Sequence, residues 1–200
     1  MRYLVQAVAE HGHGGTLLVL PPDADWKSSA SSSQFNPTKP CVEARDRLLE
    51  AVQEEPIVSK IASAITETVP GIKGGRIREN RIREDSVELQ NALDWIAKLT
   101  ATDGITVIES DLTLLAFGVM VQMQGREDLV IEEHTLFEPA QRKTLSQIGG
   151  ARHQSAARAC DALRGSVAFV ASQDGELSSM RWDDKLGGVL LSRNLELLPH

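Results

Sequence analysis

Aromatic residues are scarce. Four Phe, three Trp and one Tyr make 4% of the chain, so a core has to be built from Leu, Ile, Val and Ala. Cysteine is nearly missing: Cys41 and Cys160 are too few for a disulfide framework and match no zinc-site spacing, which points to a reducing cytoplasm. No apolar run approaches the roughly 20 residues a membrane span needs. The N-terminus lacks the basic flank and long apolar stretch of a secretory leader. Positive charge is also in deficit, with 21 Lys and Arg against 28 Asp and Glu for a net charge of −7. A protein that coats nucleic acid carries a basic face, so general nucleic-acid binding is excluded along with membrane contact. An anionic ligand would have to be captured locally, by backbone N–H groups and a few arginines.

What is present is an ordinary soluble composition, 42% apolar and 24% charged over 200 residues, enough for one domain spanning residues 1–200 with a sizeable core. Tyr3 to Glu10 predicts a short helix ended by His11-Gly12-His13-Gly14-Gly15. Thr16 to Leu20 reads as a buried strand closed by Pro21-Pro22. The Ser-rich stretch 23–39 predicts an exposed, flexible loop. Val42 to Val52 and Ile57 to Val69 have helical periodicity, with Pro56 placed to start the second helix. Residues 71–85 gather Lys73, Arg76, Arg78, Arg81 and Arg83 and predict a basic loop. Ser86 then caps a helix running to Leu99, with Leu89, Leu93 and Ile96 on one face.

Beyond Leu99 the period changes from about 3.6 to 2. Ile105 to Ile108 and Leu114 to Val121 predict two strands, and Leu129 to Ile131 a further short one. Glu132, Glu133 and His134 read as a polar turn. Arg152 to Leu163 is helical, with Ala156, Cys160 and Leu163 inward. Val167 to Ala171 is apolar enough for a central strand buried on both faces. Asp174-Gly175 marks a hairpin leading to strands near Leu177–Trp182 and Val189–Leu191. The fold class is α/β, a mixed central β-sheet flanked by helices. Trp95 and Trp182 are expected in packing roles.

Two positions carry the chemistry. At Gly149-Gly150-Ala151-Arg152-His153-Gln154-Ser155 two glycines precede a helix whose first turn holds Arg, His and Ser. Unpaired N–H groups and roughly half a positive charge at a helix start attract phosphate, and Arg forks two oxygens at once. The same pattern also suits a plain glycine turn with solvated Arg and His. Asp103-Gly104 lies between a helix and a strand, where ligands of α/β sheets often bind and where Asp could hold a divalent metal against phosphate. Asp-Gly is equally an ordinary turn. His11 and His13 make a poor metal signature without further partners.

Together these segments resemble the diadenylate cyclase (DAC) domain, the DisA N-terminal family. Its Asp-Gly-Ala motif is matched by Asp103-Gly104-Ile105, its Arg-His-Arg motif by Arg152-His153-Gln154, and its following strand and turn by Val167 to Gly175. Gly15-Thr16-Leu17-Leu18-Val19 fits its opening strand. The similarity runs from about Gly14 to Leu191 and is closest to the diverged DACNV sensor branch. It implies a DAC-like fold in which Asp103 binds Mg2+ or Mn2+ and serves as the catalytic residue of any surviving chemistry. It implies that Gly104, Ile105, Gly150, Arg152, His153, Gln154 and Ser155 hold the nucleotide. In active members two copies face each other and condense two ATP into a cyclic dinucleotide. Here Ile105, Ala151, Gln154 and Cys160-Asp161 replace the family's Ala, Thr, Arg and Ser-Glu, and Gln154 removes a permanent charge from the phosphate cradle. The resemblance therefore implies a nucleotide sensor that binds ATP or a cyclic or linear dinucleotide, as a homodimer or higher oligomer. An active diadenylate cyclase is the alternative.

Overall fold

Strands form where the alternating and continuous apolar runs lie, and they meet in one mixed sheet. The computed structural model describes residues 1–10, 12–31, 39–53, 74–121 and 128–197. These divide into two compact units, residues 1–38 with 94–200, and residues 39–93.

The first unit carries the sheet. Helix α1 (Arg2–Glu10) leads through positive-φ glycines, Gly12 and Gly14, into β1 (Gly15–Leu20). A 3-10 turn at Lys27–Ser29 precedes a two-residue edge strand, β2 (Ala30–Ser31). Later come β3 (Ile105–Glu109), β4 (Leu114–Val121), β5 (Ile131–His134) and β6 (Gln141–Lys143). A 3-10 turn at Leu145–Gln147, a helix at Ala151–Ala162, and strands β7 (Val167–Ala171), β8 (Leu177–Asp183) and β9 (Gly188–Ser192) complete it. The strand order is β2-β4-β3-β1-β7-β8-β9-β5-β6. β1 runs parallel to β3 and β5 parallel to β9; the other neighbours are antiparallel.

The second unit contains helix α2 (Pro40–Gln53) and most of helix α3 (Gly74–Leu99), whose last residues belong to the first unit. Arg47 Nη2 lies 2.8 Å from Glu88 Oε1 within that unit. The helix at Ala151–Ala162, called α4 below, packs on the sheet with the small residues Ala156, Ala157, Ala159 and Cys160, all fully buried. Small side chains bring the helix axis close to the strands, and the Cys160 thiol donates to the Met180 carbonyl at 3.3 Å. Leu18, Val107, Ala168, Val170, Met180 and Leu191 supply the strand side of this core. α1 contacts β1 and β7.

Several expectations give way. Residues 74–85 are helix rather than basic loop, and Ser86 sits inside α3, where its hydroxyl donates back to the Ile82 carbonyl at 2.6 Å instead of capping a terminus. Glu132, Glu133 and His134 belong to a strand, because pairing with β9 and β6 satisfies their backbone despite their polar side chains. The stretch 23–39 is not all loop, for Trp26 is buried and β2 pairs with β4. β7 is central but buries Ala168 and Val170 fully and Val167 and Phe169 only in part. Trp95 is 42% exposed and packs in no core, whereas Trp182 packs against the core with the Arg164 guanidinium 4.1 Å above its ring. The helix expected over Ile57–Val69, His11, Lys73 and residues 32–38 of the Ser-rich stretch lie outside the described residues.

Among the described residues no helix is long and apolar enough to cross a membrane.

Candidate functional site

Register decides which loops meet. Gly15 of β1 pairs with Ala171 of β7, so β1 begins where β7 ends. β3 runs parallel to β1 and starts at that same end; β8 starts there and β9 finishes there. The loops before β1 and β3, the β7–β8 turn and the residue after β9 therefore gather at one end of the sheet. A cleft of about 870 Å³ opens there. Its walls are Thr16, Asp103, Gly104 and Ile105 on one side, with Val119 and Met120 from β4. Ala171, Ser172, Gln173, Asp174 and Glu176 come from β7 and its turn, and Arg193 from beyond β9. Gln147 to His153, with Ser155, close it from the start of α4.

The two sequence-marked turns thus face a common space. Of the expected site residues, Asp103, Gly104, Ile105, Gly150, Arg152, His153 and Ser155 line it. Gln154 does not: its Nε2 donates to the Gly149 carbonyl at 3.0 Å and fastens the loop to its own helix. The cleft lies at the amino ends of β1 and β3, opposite to the carboxyl-end rule for parallel sheets. Antiparallel β7 and β9 contribute carboxyl ends to the same edge, so in this mixed sheet the rule has no purchase.

Glycines permit the approach. Gly104 has φ +102, and a Cβ on it would stand 2.6 Å from the Gly118 carbonyl carbon and 2.9 Å from the Val119 nitrogen. The turn before β3 can therefore lie against β4 only as glycine. Gly149 has φ +126 and lies against the His153 ring, a Cβ there being 3.3 Å from Nδ1. Gly150 is the N-cap of α4 in extended conformation and makes no side-chain cap bond. The first-turn residues Ala151, Arg152 and His153 line the cleft, and their N–H groups have no capping side chain.

His153 is held below the ordinary histidine range, first by burial and then by the Arg193 cation, with Glu133 opposing. Its Nε2 is buried without a hydrogen-bond partner among the described residues. Behind it stands a group that the sequence did not announce. Arg193 Nε donates to Glu133 Oε1 at 2.5 Å and its Nη2 to the Ile148 carbonyl at 2.6 Å. Lys143 Nζ lies 2.6 Å from Glu133 Oε2. Burial works against the Glu133 charge, but the Lys143 and Arg193 bonds outweigh it and hold the carboxyl below its usual range. Glu133 looked like part of a polar turn, and the one signal available was its alternation with Ile131.

The donor set limits what metal could sit here. Among the described residues no three His, Cys, Asp or Glu side chains converge as ligands. Asp103, Asp174 and Glu176 line the cleft without such convergence. Such carboxylates suit Mg2+ or Mn2+ taking its other ligands from phosphate and water, and not an ion held by protein alone.

A scan against models of known families finds no match, and a search of curated protein sequences finds none either. Fold and cleft define a mixed α/β protein with a crevice of about 870 Å³, lined by both polar and apolar residues, at one sheet end.

Proposed function

We propose that this chain is a nucleotide-binding sensor domain of DAC-like fold, taking ATP or a cyclic or linear dinucleotide in the cleft at the start of α4. The observation that carries this reading is that Asp103-Gly104 and Gly150-Arg152-His153, far apart in sequence, line one cavity of about 870 Å³. That volume falls in the range of small-molecule and cofactor sites. The backbone N–H groups at the start of α4 and the Arg152 guanidinium receive the phosphates. A divalent ion, held by Asp103 and shared with phosphate oxygens, supplies charge neutralisation when bound. His153, kept neutral, donates or accepts a single hydrogen bond at its buried Nε2 rather than contributing a charge.

Sensing is favoured over turnover because the cradle has Arg152 but no second arginine in the α4 turn, and Gln154 is spent on Gly149. Phosphoryl chemistry depends on charge stabilisation in line with the leaving group, and the chain supplies less of it there. The experiment is incubation of the purified protein with ATP and Mg2+ or Mn2+, following both melting temperature and products. Stabilisation without turnover is expected; ligand at 100 times its Kd adds about 2.7 kcal/mol. A cyclic dinucleotide product would replace the sensor reading with the enzymatic one. No stabilisation by ATP or by a dinucleotide would remove both.

A further inference from the structure

We infer that Arg193 is a second anion-binding cation of the cleft, held ready by Glu133 and the Ile148 carbonyl, and that the site takes a ligand bearing more than one phosphate group. The inference deepens the proposed nucleotide reading and rests on it for the nucleoside part of the ligand alone.

Arg193 follows β9 and lines the cleft. Two of its donors are committed, Nε to Glu133 and Nη2 to Ile148, and among the described residues none accepts a bond from Nη1. The guanidinium is thus fixed in orientation, with one donor nitrogen left over. Glu133 is already neutralised by Lys143, so the group of three side chains keeps a net positive charge beside the cleft. An arginine orientated beforehand loses less freedom on binding than a loose one.

The two arginines occupy different parts of the cleft. The Arg152 guanidinium lies over Gly14, whose hypothetical Cβ is also 3.2 Å from the Ala171 carbonyl, placing it at the β1–β7 boundary. Arg193 leaves β9, two places along the sheet from β7, which is on the order of 10 Å at the usual strand spacing. The two guanidiniums are held by different partners, Arg152 over Gly14 and Arg193 on the Ile148 carbonyl, so a chain of phosphates, or two phosphates of a dinucleotide, offers an anion to each. The Ile148 carbonyl held by Arg193 immediately precedes Gly149-Gly150, so the same side chain also steadies the loop that opens α4.

The test is calorimetric titration of the full chain with inorganic tripolyphosphate, orthophosphate and ATP. Wild-type protein should bind tripolyphosphate more tightly than orthophosphate. Arg193→Gln should weaken tripolyphosphate and ATP by about ten- to a hundredfold and leave orthophosphate, which Arg152 and the helix start still hold, nearly unchanged. The double variant Glu133→Gln with Arg193→Gln leaves no lone buried carboxylate and should show the same selective loss with a native far-ultraviolet spectrum. Unchanged tripolyphosphate affinity in both variants overturns the inference. An equal loss for orthophosphate also overturns it, showing that Arg193 only props the loop. Arg193-dependent binding of tripolyphosphate without binding of ATP upholds the second cation and removes the nucleotide reading. Failure of the wild type to bind any of the three removes both.

Discussion

The Arg152 guanidinium lies over Gly14, with Nη1 2.7 Å from where a Cβ on that glycine would stand. Two segments of the chain that the sequence marked separately, the glycine-rich entry to β1 and the start of α4, therefore touch at the cleft. Gly14 also has φ +67, a conformation that L side chains rarely adopt. Gly14→Ala should displace Arg152 and weaken ATP binding. Arg152→Ala should weaken it by about 1.5–3 kcal/mol, the range for hydrogen bonds to charged groups. Because both changes act through one guanidinium, the double variant should be no worse than Arg152→Ala alone. Additive losses in calorimetry would contradict the contact.

Gly104 tests whether the acidic turn is built or incidental. A Cβ there meets the Gly118 and Val119 backbone below 3 Å at φ +102, and neither backbone is a flexible side-chain end that could swing aside. Gly104→Ala should cost about 1–3 kcal/mol from strain and overpacking and lower the melting temperature. Gly175→Ala, at φ +87 with open space around it, should cost less. Equal melting temperatures for the two variants would contradict the packing of the turn on β4.

Acid should weaken the fold in two steps. His153 is depressed by burial and by Arg193, so the unfolded chain takes up its proton more readily than the folded one. Stability is then complete above the unfolded value of 6.5 and declines as pH falls toward the folded value. Glu133, lowered against its burial by Lys143 and Arg193, adds a second loss as pH falls from 4.5. Denaturant melts from about pH 7.5 to 4 should show the upper loss in wild type and not in His153→Gln. A His153→Gln profile identical to wild type would contradict the assignment.

Both thiols should be inert in the native protein. Burial pushes Cys160 up to about 12 and Cys41 up to about 11, so neither offers thiolate near neutrality. Iodoacetamide should label neither at pH 7 until denaturant is added, when both react. Fast native labelling of Cys160 would contradict its burial between α4 and β8.

Much of the sheet was legible because β1, β4, β7, β8 and β9 carry period-2 or continuous apolar runs, β1 and β7 with Gly or Pro close to both ends. β5 was not, since Glu132, Glu133 and His134 look solvated until β9 supplies their pairing and Arg193 and Lys143 compensate the inward carboxylate. The extent of α3 was hidden by Ser86 and by the charge of 76–85, which reads as loop although Arg and Glu are good helix formers. At the site, Gly104, Gly150, Arg152 and His153 could be found from local pattern. Arg193 could not, because a lone arginine after a strand has no pattern. Its place in the cleft follows from sheet order, a property of distant pairings.

The most direct test is a crystal structure of the protein soaked with a non-hydrolysable ATP analogue and Mg2+. Phosphate density is expected against the backbone N–H groups of Ala151 to His153 and the Arg152 guanidinium, with the ion beside Asp103. Phosphates bound elsewhere on the molecule, with this cleft empty, would contradict this placement.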